Sequence, residues 1–441
     1  MFRFAAPACL CLLLGSPVHA AAQARVDKLA LVFQEIFGPN GLRVSSEQVL
    51  PDGSTHTAHF NSAFQSNFNQ MNVALASQLT SLPLPSPASG FTYAFDGATG
   101  TFVRSTQSFG PILTDRAETI GRGKFSFGYA VQFFSFDTLE GMDLSAVPAV
   151  FTHDDFQLGG GRTDVVTTRN SVEVSVAQAT GVLTYGITNR LDVSVAVPLV
   201  HTRLSVRSDA HIIRVGTPDD PAIHFFRDDE MIDGHGSDRQ FFSSGSATGL
   251  GDVIVRLKAT ALREGLRALA FGVDVRAPTG DEMDLLGAGA AGVRPFVAFS
   301  FARGRVSPHV NVGYQWNGRS VLAGDVRGLA KSRLPDHVLY AVGADVGVNA
   351  RLTLALDLLG ARIIDSPRIV GRSFTASGPG GTVTLPDIGY EVSTFSTASG
   401  AAGFKMNVGK SLLAAFNLRF KIGDAGLGDR AAVLAGVEYG F

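Results

Sequence analysis

The amino-acid sequence predicts an all-β fold, namely a transmembrane antiparallel up-and-down β-barrel of about 12 strands that follows a partly helical N-terminal extension. Three observations predict it. The 441 residues are 45% hydrophobic and only 17% charged, whereas soluble globular domains carry about 25% charged residues. Segments of alternating apolar and polar residues recur between residues 122 and 441. The connections between these segments are short and long in turn, as the two ends of an outer-membrane barrel require.

The first 20 residues have the pattern of a secretory signal peptide. Arg3 supplies a positive charge, an apolar run follows, and Val18 and Ala20 have the spacing of a cleavage site. The run is too short to cross a bilayer, where a helix needs about 20 residues. A buried N-terminal helix is the alternative. We therefore expect export of a chain that begins after Ala20.

Cysteine content and charge exclude several functional classes. The two cysteines, Cys9 and Cys11, lie inside the predicted signal peptide, so the exported chain is expected to have no disulfide, thiolate nucleophile or Cys-ligated zinc. The net charge is −2 and no basic patch with interleaved aromatic residues occurs, so nucleic acid is not an expected partner. No apolar stretch after the signal peptide approaches the length of about 18 residues that a membrane helix needs, which excludes a helical membrane protein.

Residues 21–121 do not alternate steadily and form the predicted N-terminal extension. Residues 29–36 and 64–79 carry apolar side chains at helical spacing, and Gly38 begins a stop signal for the first of these helices. A proline-rich break covers 82–90. This composition predicts either a plug that enters the barrel lumen or a periplasmic-side extension, with a loosely ordered extension as the alternative.

Residues 122–441 form the predicted barrel. Its strands are expected to be short, alternating in hydrophobicity and bounded by turn residues. The expected strands are 122–137, 170–187, 190–205, 251–262, 266–277, 292–302, 305–316, 336–348, 351–363, 389–407, 410–422 and 430–441.

The connections between these strands alternate in length. Short turns such as Thr188–Asn189 and Asn349–Ala350 alternate with long connections, of which 206–248 is the longest. A Gly/Pro-rich stretch, 365–388, is predicted as another long loop. In outer-membrane barrels the short turns lie in the periplasm and the long loops outside the cell. An even count of about 12 ± 2 strands brings the first and last strands together at the periplasmic end, where they pair and remove both sheet edges.

The two faces of each predicted strand differ in polarity. Strand 191–199, for example, places Leu191, Val193 and Val195 on one face and Asp192 and Ser194 on the other. In a bilayer the apolar face meets lipid, so the polar face lines the lumen. Both signs of charge occur there, which favours paired charges that brace a narrow interior over a strongly ion-selective pore. The predicted lumen-lining residues are Asp192, Asp252, Arg256, Lys258, Asp274, Arg276, Arg294, His309, Asn311, Asp345, Asp357, Arg419, Lys421 and Glu438.

Two groups of side chains have residue types that chemistry uses. Ser307, His309 and Asn311 share one strand face, but residues two apart on a strand are separated by roughly 6.5–7 Å, too far for a direct Ser–His pair. The loop 219–238 concentrates carboxylates and histidines without the spacing of a calcium-binding loop. Polar lumen lining and solvated loop charge are therefore favoured, and we predict no catalytic residue, no metal site and no cofactor.

Four short sequences resemble those of a known family. They are "TIGRGKFSFG" (119–128), "YGITNRLDVSVAVPL" (185–199), "GLGDVIVRLK" (249–258) and "VRAPTGD" (275–281). Over roughly 119–441 the chain resembles the transporter-like outer-membrane proteins named for the phenol meta-cleavage degradation pathway, which are distantly similar to channels for fatty acids and aromatic hydrocarbons. The glycines and "PTGD" are turn chemistry, so they support the fold more than a substrate.

The resemblance implies a function and partners. It implies a barrel in the bacterial outer membrane that passively admits small hydrophobic or aromatic compounds, with outer-membrane lipids and the barrel-assembly machinery as partners. Tyr439 and Phe441 resemble the C-terminal signal that such barrels present to that machinery. The alternative is a structural or adhesive barrel with a blocked lumen, whose long loops 138–169 and 206–248 carry the function.

Overall fold

A computed structural model of the chain describes residues 24–25, 27–38, 40–49, 53, 59–60, 69–81, 93–96, 101–104, 108–153, 164–228, 230–409 and 411–440. The predicted signal peptide and Phe441, one half of the predicted assembly signal, lie outside the described residues.

Twelve strands form a closed antiparallel barrel, which confirms the predicted all-β fold and strand number. Each strand pairs with its neighbour in the chain, and the last strand pairs with both the eleventh and the first. The barrel strands are β1 (Phe125–Leu139), β2 (Val165–Thr188), β3 (Leu191–Ile213), β4 (Ile254–Glu264), β5 (Arg267–Arg276), β6 (Gly292–Phe301), β7 (Val306–Asn317), β8 (His337–Asn349), β9 (Leu352–Gly378), β10 (Gly381–Gly409), β11 (Leu412–Ile422) and β12 (Ala431–Gly440).

Shorter elements lie outside the barrel wall proper. Among the described residues, α1 (Val32–Glu35) and α2 (Asn69–Ser81) precede the barrel, with a 3₁₀ turn at Leu29–Leu31 before α1, and a further 3₁₀ turn at Leu144–Ala146 follows β1. The remaining short strands are Ala24–Arg25, Leu42–Arg43, His59–Phe60, Tyr93–Asp96, Thr101–Arg104, Met142–Asp143, Val147–Thr152, Phe226–Arg227, His235–Gly236, Asp238–Leu250, Arg319–Asp325, Ala330–Arg333 and Leu427–Asp429.

The outer surface of the barrel is apolar and its inner surface is polar. On β12, Val433, Val437 and Tyr439 are 40%, 47% and 46% exposed, whereas Ala432 and Leu434 are buried. The same alternation runs around the other strands, whose exposed face carries Phe, Leu, Val and Tyr. Such a surface is stable in lipid, and closure of the sheet leaves no unpaired edge there. Each described helix is too short or too polar to cross a membrane.

Two predicted loops are wrong in extent. The stretch 365–388 is not a loop, because β9 and β10 continue as a paired hairpin as far as a turn at Pro379–Gly380. Within 206–248, β3 extends to Ile213 and pairs with Asp238–Leu250. Glycine and proline indicated irregular structure, but most of these glycines sit in extended strands, and Pro379 with Gly380 supplies one tight turn.

The described part of the N-terminal extension lies against the inside of the barrel and its long-connection end. Phe37 of the turn after α1 makes edge-to-face contacts with Phe151 and Phe241, with ring centroids 5.1 and 5.0 Å apart. Lys28 Nζ donates hydrogen bonds to Asp281 and Asp284 at 2.7 and 2.6 Å. These aspartates lie in the β5–β6 connection, so the extension is fastened at the end of the barrel that is opposite the short turns.

The closing seam is testable with a cysteine pair. Val131 on β1 and Ala435 on β12 are register partners, and such pairs have Cα atoms about 4.5–5.5 Å apart, within disulfide reach. In a chain of residues 21–441, Val131→Cys/Ala435→Cys should oxidise to an intramolecular disulfide seen by non-reducing electrophoresis and peptide mass spectrometry. Val131→Cys/Leu418→Cys, which places the second cysteine one strand further away, is the matched control. A cross-link in the control pair alone would mean a different closure.

Candidate functional site

An irregular segment of the chain fills the half of the lumen nearest the short turns. This inner segment comprises residues 108–120 and precedes β1. Its peptide groups and side chains bond to side chains on six barrel strands, namely β3, β4 and β6 to β9. The wall residues that hold it are Asp192, Arg256, Lys258, Thr260, Ser300, His309, Asn311, Asp345, Thr353 and Asp357.

Arg256 is the most heavily bonded of these wall residues. Its guanidinium donates to both oxygens of Asp274 at 2.6 and 2.8 Å and to both oxygens of Asp115 at 2.8 and 2.7 Å. Its plane also lies over the Phe296 ring, 4.8 Å from the centroid. Arg294 Nε adds a further bond to Asp274 at 2.9 Å. A planar donor with this geometry binds two carboxylates at once, so it joins the inner segment to the wall.

Peptide groups of the inner segment are satisfied by wall side chains. Asn311 forms a two-way pair with Asp115, accepting from its N–H and donating to its C=O, both at 2.8 Å. Lys258 Nζ donates to the carbonyls of Arg116 and Glu118 at 3.1 and 2.9 Å. Asp192 accepts from the N–H of Ile120 at 2.9 Å. Irregular backbone has no internal ladder, so buried side chains on the wall take its place.

His309 also belongs to this anchoring set. Its Nε2 lies 2.6 Å from Thr114 Oγ1 and 2.9 Å from Asp357 Oδ1, and Thr114 also donates to Asp357 at 2.9 Å. The contact of His309 with Ser307 is made to the backbone oxygen, at 3.3 Å. Of the Ser–His–Asn group considered from the sequence, His309 and Asn311 therefore bond to the inner segment.

Small apolar residues let the inner segment lie close to the wall. Ala117 packs in a buried cluster with Ala268, Ala270, Ala298 and Phe296. Because these alanines present only methyl groups, the backbone of the segment can reach the polar side chains beside them.

Helix α2 occupies the lumen further towards the long-connection end. The carbonyl of Thr80, near its C-terminus, accepts from Arg276 Nη1 and Gln315 Nε2, both at 3.4 Å. Arg276 also donates to Asn317 Oδ1 at 2.8 Å. Asp252 accepts from the N–H groups of the β5–β6 connection and lies 3.7 Å from Arg276. The predicted lumen residue Asp252 thus holds the β5–β6 connection, and the predicted lumen residue Arg276 holds the end of α2.

A cavity of about 1120 Å³, open solvent at its mouth included, lies between α2 and the inner segment. Gln78 and Ser81 of α2 bound one side and Leu113 and Asp115 of the inner segment the other. The barrel wall completes it with residues from β4, β6, β7, β8, β9, β10 and β11, together with the strand Leu427–Asp429. Of the predicted lumen residues, Arg256, Arg294, Asn311, Arg419 and Lys421 line it. This is the candidate functional site.

Phe296 separates this cavity from a groove on the lipid-facing surface. Its ring lies over Gly272, where a Cβ would approach to 2.3 Å, and it lines both the cavity and the outer groove. Beside it the β6–β7 ladder has no bridge at Arg294 and Pro295, because proline has no N–H to donate. The backbone ladder of the wall is therefore interrupted here.

The other predicted lumen residues are inward but play different parts. Glu438 lies 3.3 Å from Lys405 Nζ, near the short-turn end. Arg419 lies 3.4 Å from Asp429 and over the Phe134 ring at 5.0 Å. Sequence reasoning missed Ser300, Thr353, Thr260, Phe296 and Leu359, which are uncharged. Strand parity could have identified them, since each shares a face with a charged residue that was chosen.

Most described carboxylates of the acidic connection 219–238 are exposed, as predicted, but one of its histidines is not. His224 is buried, and its Nδ1 lies 2.5 Å from Asp164. Burial alone would raise the pKa of the Asp164 carboxyl, but bonds from His224, Thr217 and the Gly216 N–H hold it below its usual range. Within the part of the chain that the structure describes, no group of three or more His, Cys, Asp or Glu side chains is placed to hold a metal ion.

Comparisons with known proteins agree with this architecture. Residues 152–327 match the family described as "Putative MetA-pathway of phenol degradation", which confirms the resemblance over that range. No protein with a curated description matches the sequence.

Three solved structures are similar in fold, all with TM-scores below 0.5. The COG4313 outer membrane channel from Pseudomonas putida F1 has a TM-score of 0.44 and 14% identity, over 74% of this chain and 98% of that one. A Pseudomonas aeruginosa FadL homologue scores 0.30 at 11% identity, covering 74% and 90% of the two chains. The P. putida toluene transporter TodX scores 0.32 at 10% identity, covering 72% and 89%. With its apolar exterior and closed antiparallel sheet, the chain has the architecture of a transmembrane β-barrel.

The anchoring role of Arg256 is testable by neutral substitution. Arg256→Met leaves Asp115 and part of Asp274 buried without their partner, a change that typically costs about 3–5 kcal/mol. The temperature at which the folded band is lost on semi-native electrophoresis should fall markedly. Arg303→Met, at an exposed turn, should change stability by less than about 0.5 kcal/mol. Equal unfolding temperatures for the two variants would show that the Arg256 contacts do not anchor the segment.

Proposed function

We propose that the barrel passively admits small hydrophobic or aromatic compounds through the cavity above the inner segment. The observation that supports this most is the apolar wall of that cavity, which Leu339, Ala341, Leu359 and Ala361 form on β8 and β9. Pockets of roughly 300–1,000 Å³ with an apolar lining suit compounds of one or two rings. The proposal assigns no catalysis to the lumen.

The inner segment acts as the plug in this proposal. A solute that enters from the long-connection end reaches the cavity and meets the inner segment below it. Onward passage then needs a shift of that segment, or movement past Phe296 towards the lipid. The bonds between the segment and the wall set how easily the first route opens.

A structural or adhesive barrel is the second candidate. Two observations favour it: the short-turn half of the lumen is filled, and the β9–β10 hairpin extends well beyond the ends of the neighbouring strands β8 and β11. Under this reading the cavity is a by-product of packing, and solutes do not use it.

Uptake by intact cells separates the two candidates. Cells that express the full chain should take up a radiolabelled aromatic solute, such as toluene, faster than vector controls, because lipopolysaccharide slows its direct entry. Leu359→Trp fills the cavity and should abolish the gain. The matched control is Leu358→Trp, on the exposed lipid face, which should retain it. Uptake equal to that of vector controls, together with no ion conductance from a chain lacking residues 21–118, would favour the structural barrel.

A further inference from the structure

The cavity wall changes from apolar to cationic across three neighbouring strands. Leu359 on β9 is the register partner of Ser399 on β10, and Ser399 is the register partner of Lys421 on β11. Both Leu359 and Lys421 line the cavity, as does Arg419 two residues before Lys421. The lining therefore runs from leucine through hydroxyl to ammonium along one row of the sheet. One end of this row is therefore apolar and the other end is cationic.

Most charges in the cavity are neutralised by a neighbour. Arg256 and Arg294 share Asp115 and Asp274, as described above. Arg419 lies 3.4 Å from Asp429. These contacts pair three cations with three carboxylates, and among the described residues of the lining Lys421 is the charged group that remains.

Lys421 has polar but uncharged neighbours. Its Nζ donates to Thr138 Oγ1 at 3.0 Å and to the carbonyl of Asp424 at 3.3 Å. Among the described residues no carboxylate lies within salt-bridge distance of it. An ammonium group at a half-buried position is poorly solvated by protein dipoles alone, so a ligand anion is a favourable partner.

The spacing of the row sets the size of such a ligand. Adjacent strands lie about 4.7–4.9 Å apart, so two steps separate the backbones of Leu359 and Lys421 by roughly 10 Å. An aromatic ring against Leu359 could therefore extend a carboxylate towards the lysine side chain. Among the described residues that line the cavity, Lys421 is the cation without a carboxylate partner, and its charge matches one negative charge.

We infer that this cavity is a binding site for small aromatic monocarboxylates, with the ring against the Leu359 side and the carboxylate bonded to Lys421. The inference rests on the proposed function for its role in uptake, but binding is measurable without transport. It narrows the solute class from hydrophobic or aromatic compounds in general to amphipathic organic anions.

Benzoate and its neutral analogue benzamide are suitable probes. Isothermal titration calorimetry of the full-length barrel in detergent should show benzoate bound on the order of tenfold more tightly than benzamide, since a charge-assisted hydrogen bond is typically about that strong. Lys421→Met should remove this preference and leave benzamide affinity unchanged. The matched control is Lys331→Met on the exposed surface, which should keep the wild-type preference. Heat-modifiable migration establishes that each variant is folded.

Equal affinities for benzoate and benzamide in the wild type, a comparison that needs no variant, would overturn the inference. So would a preference that survives in folded Lys421→Met. The two proposals fail separately. Preferential benzoate binding without cellular uptake contradicts the proposed function alone. Uptake of toluene without preferential benzoate binding contradicts only the anion site.

Discussion

The constraint on which this structure depends is that buried polar groups in a membrane barrel must be satisfied inside the barrel. The inner wall of this barrel carries charged side chains that cannot face lipid. The inner segment carries peptide groups that have no ladder of their own. Each set supplies the partners that the other lacks, as in the two-way bond between Asn311 and Asp115. Neither set is well solvated without the other, so the lumen and its contents form one polar network.

The remaining features follow from this network. Because the segment crosses the short-turn half of the lumen, the cavity lies above it, on its long-connection side. Because Arg256 and Arg294 are bound to carboxylates, they brace the cavity without presenting free charge. Lys421 takes no part in this pairing, so the Lys421 side of the cavity is cationic whereas the Leu359 side is apolar. The same contacts make the segment a barrier, since its movement would expose buried charges.

Much of the fold could be predicted from the sequence because lipid imposes a period of two. The faces of β3, β7 and β12 were readable from alternation, and the short turns gave the strand order. The hairpin 365–388 could not be predicted from the sequence, because glycine and proline indicate both loops and strand ends. Charged lumen residues such as Asp192 were also identifiable by parity. The groups that these residues bond to could not be identified from the sequence. They depend on the path of the inner segment, which is irregular and has no sequence period.

Accessibility of the inner segment tests the central claim most directly. Ala117 is fully buried against the wall, and residues 21–441 contain no cysteine. A single cysteine introduced as Ala117→Cys can therefore be probed in the folded barrel with a small, water-soluble thiol reagent. If the inner segment is anchored in the lumen as described, labelling should be far slower than in the denatured chain and should speed up when Arg256→Met is added. Labelling of the folded barrel as fast as that of the denatured chain would contradict the account.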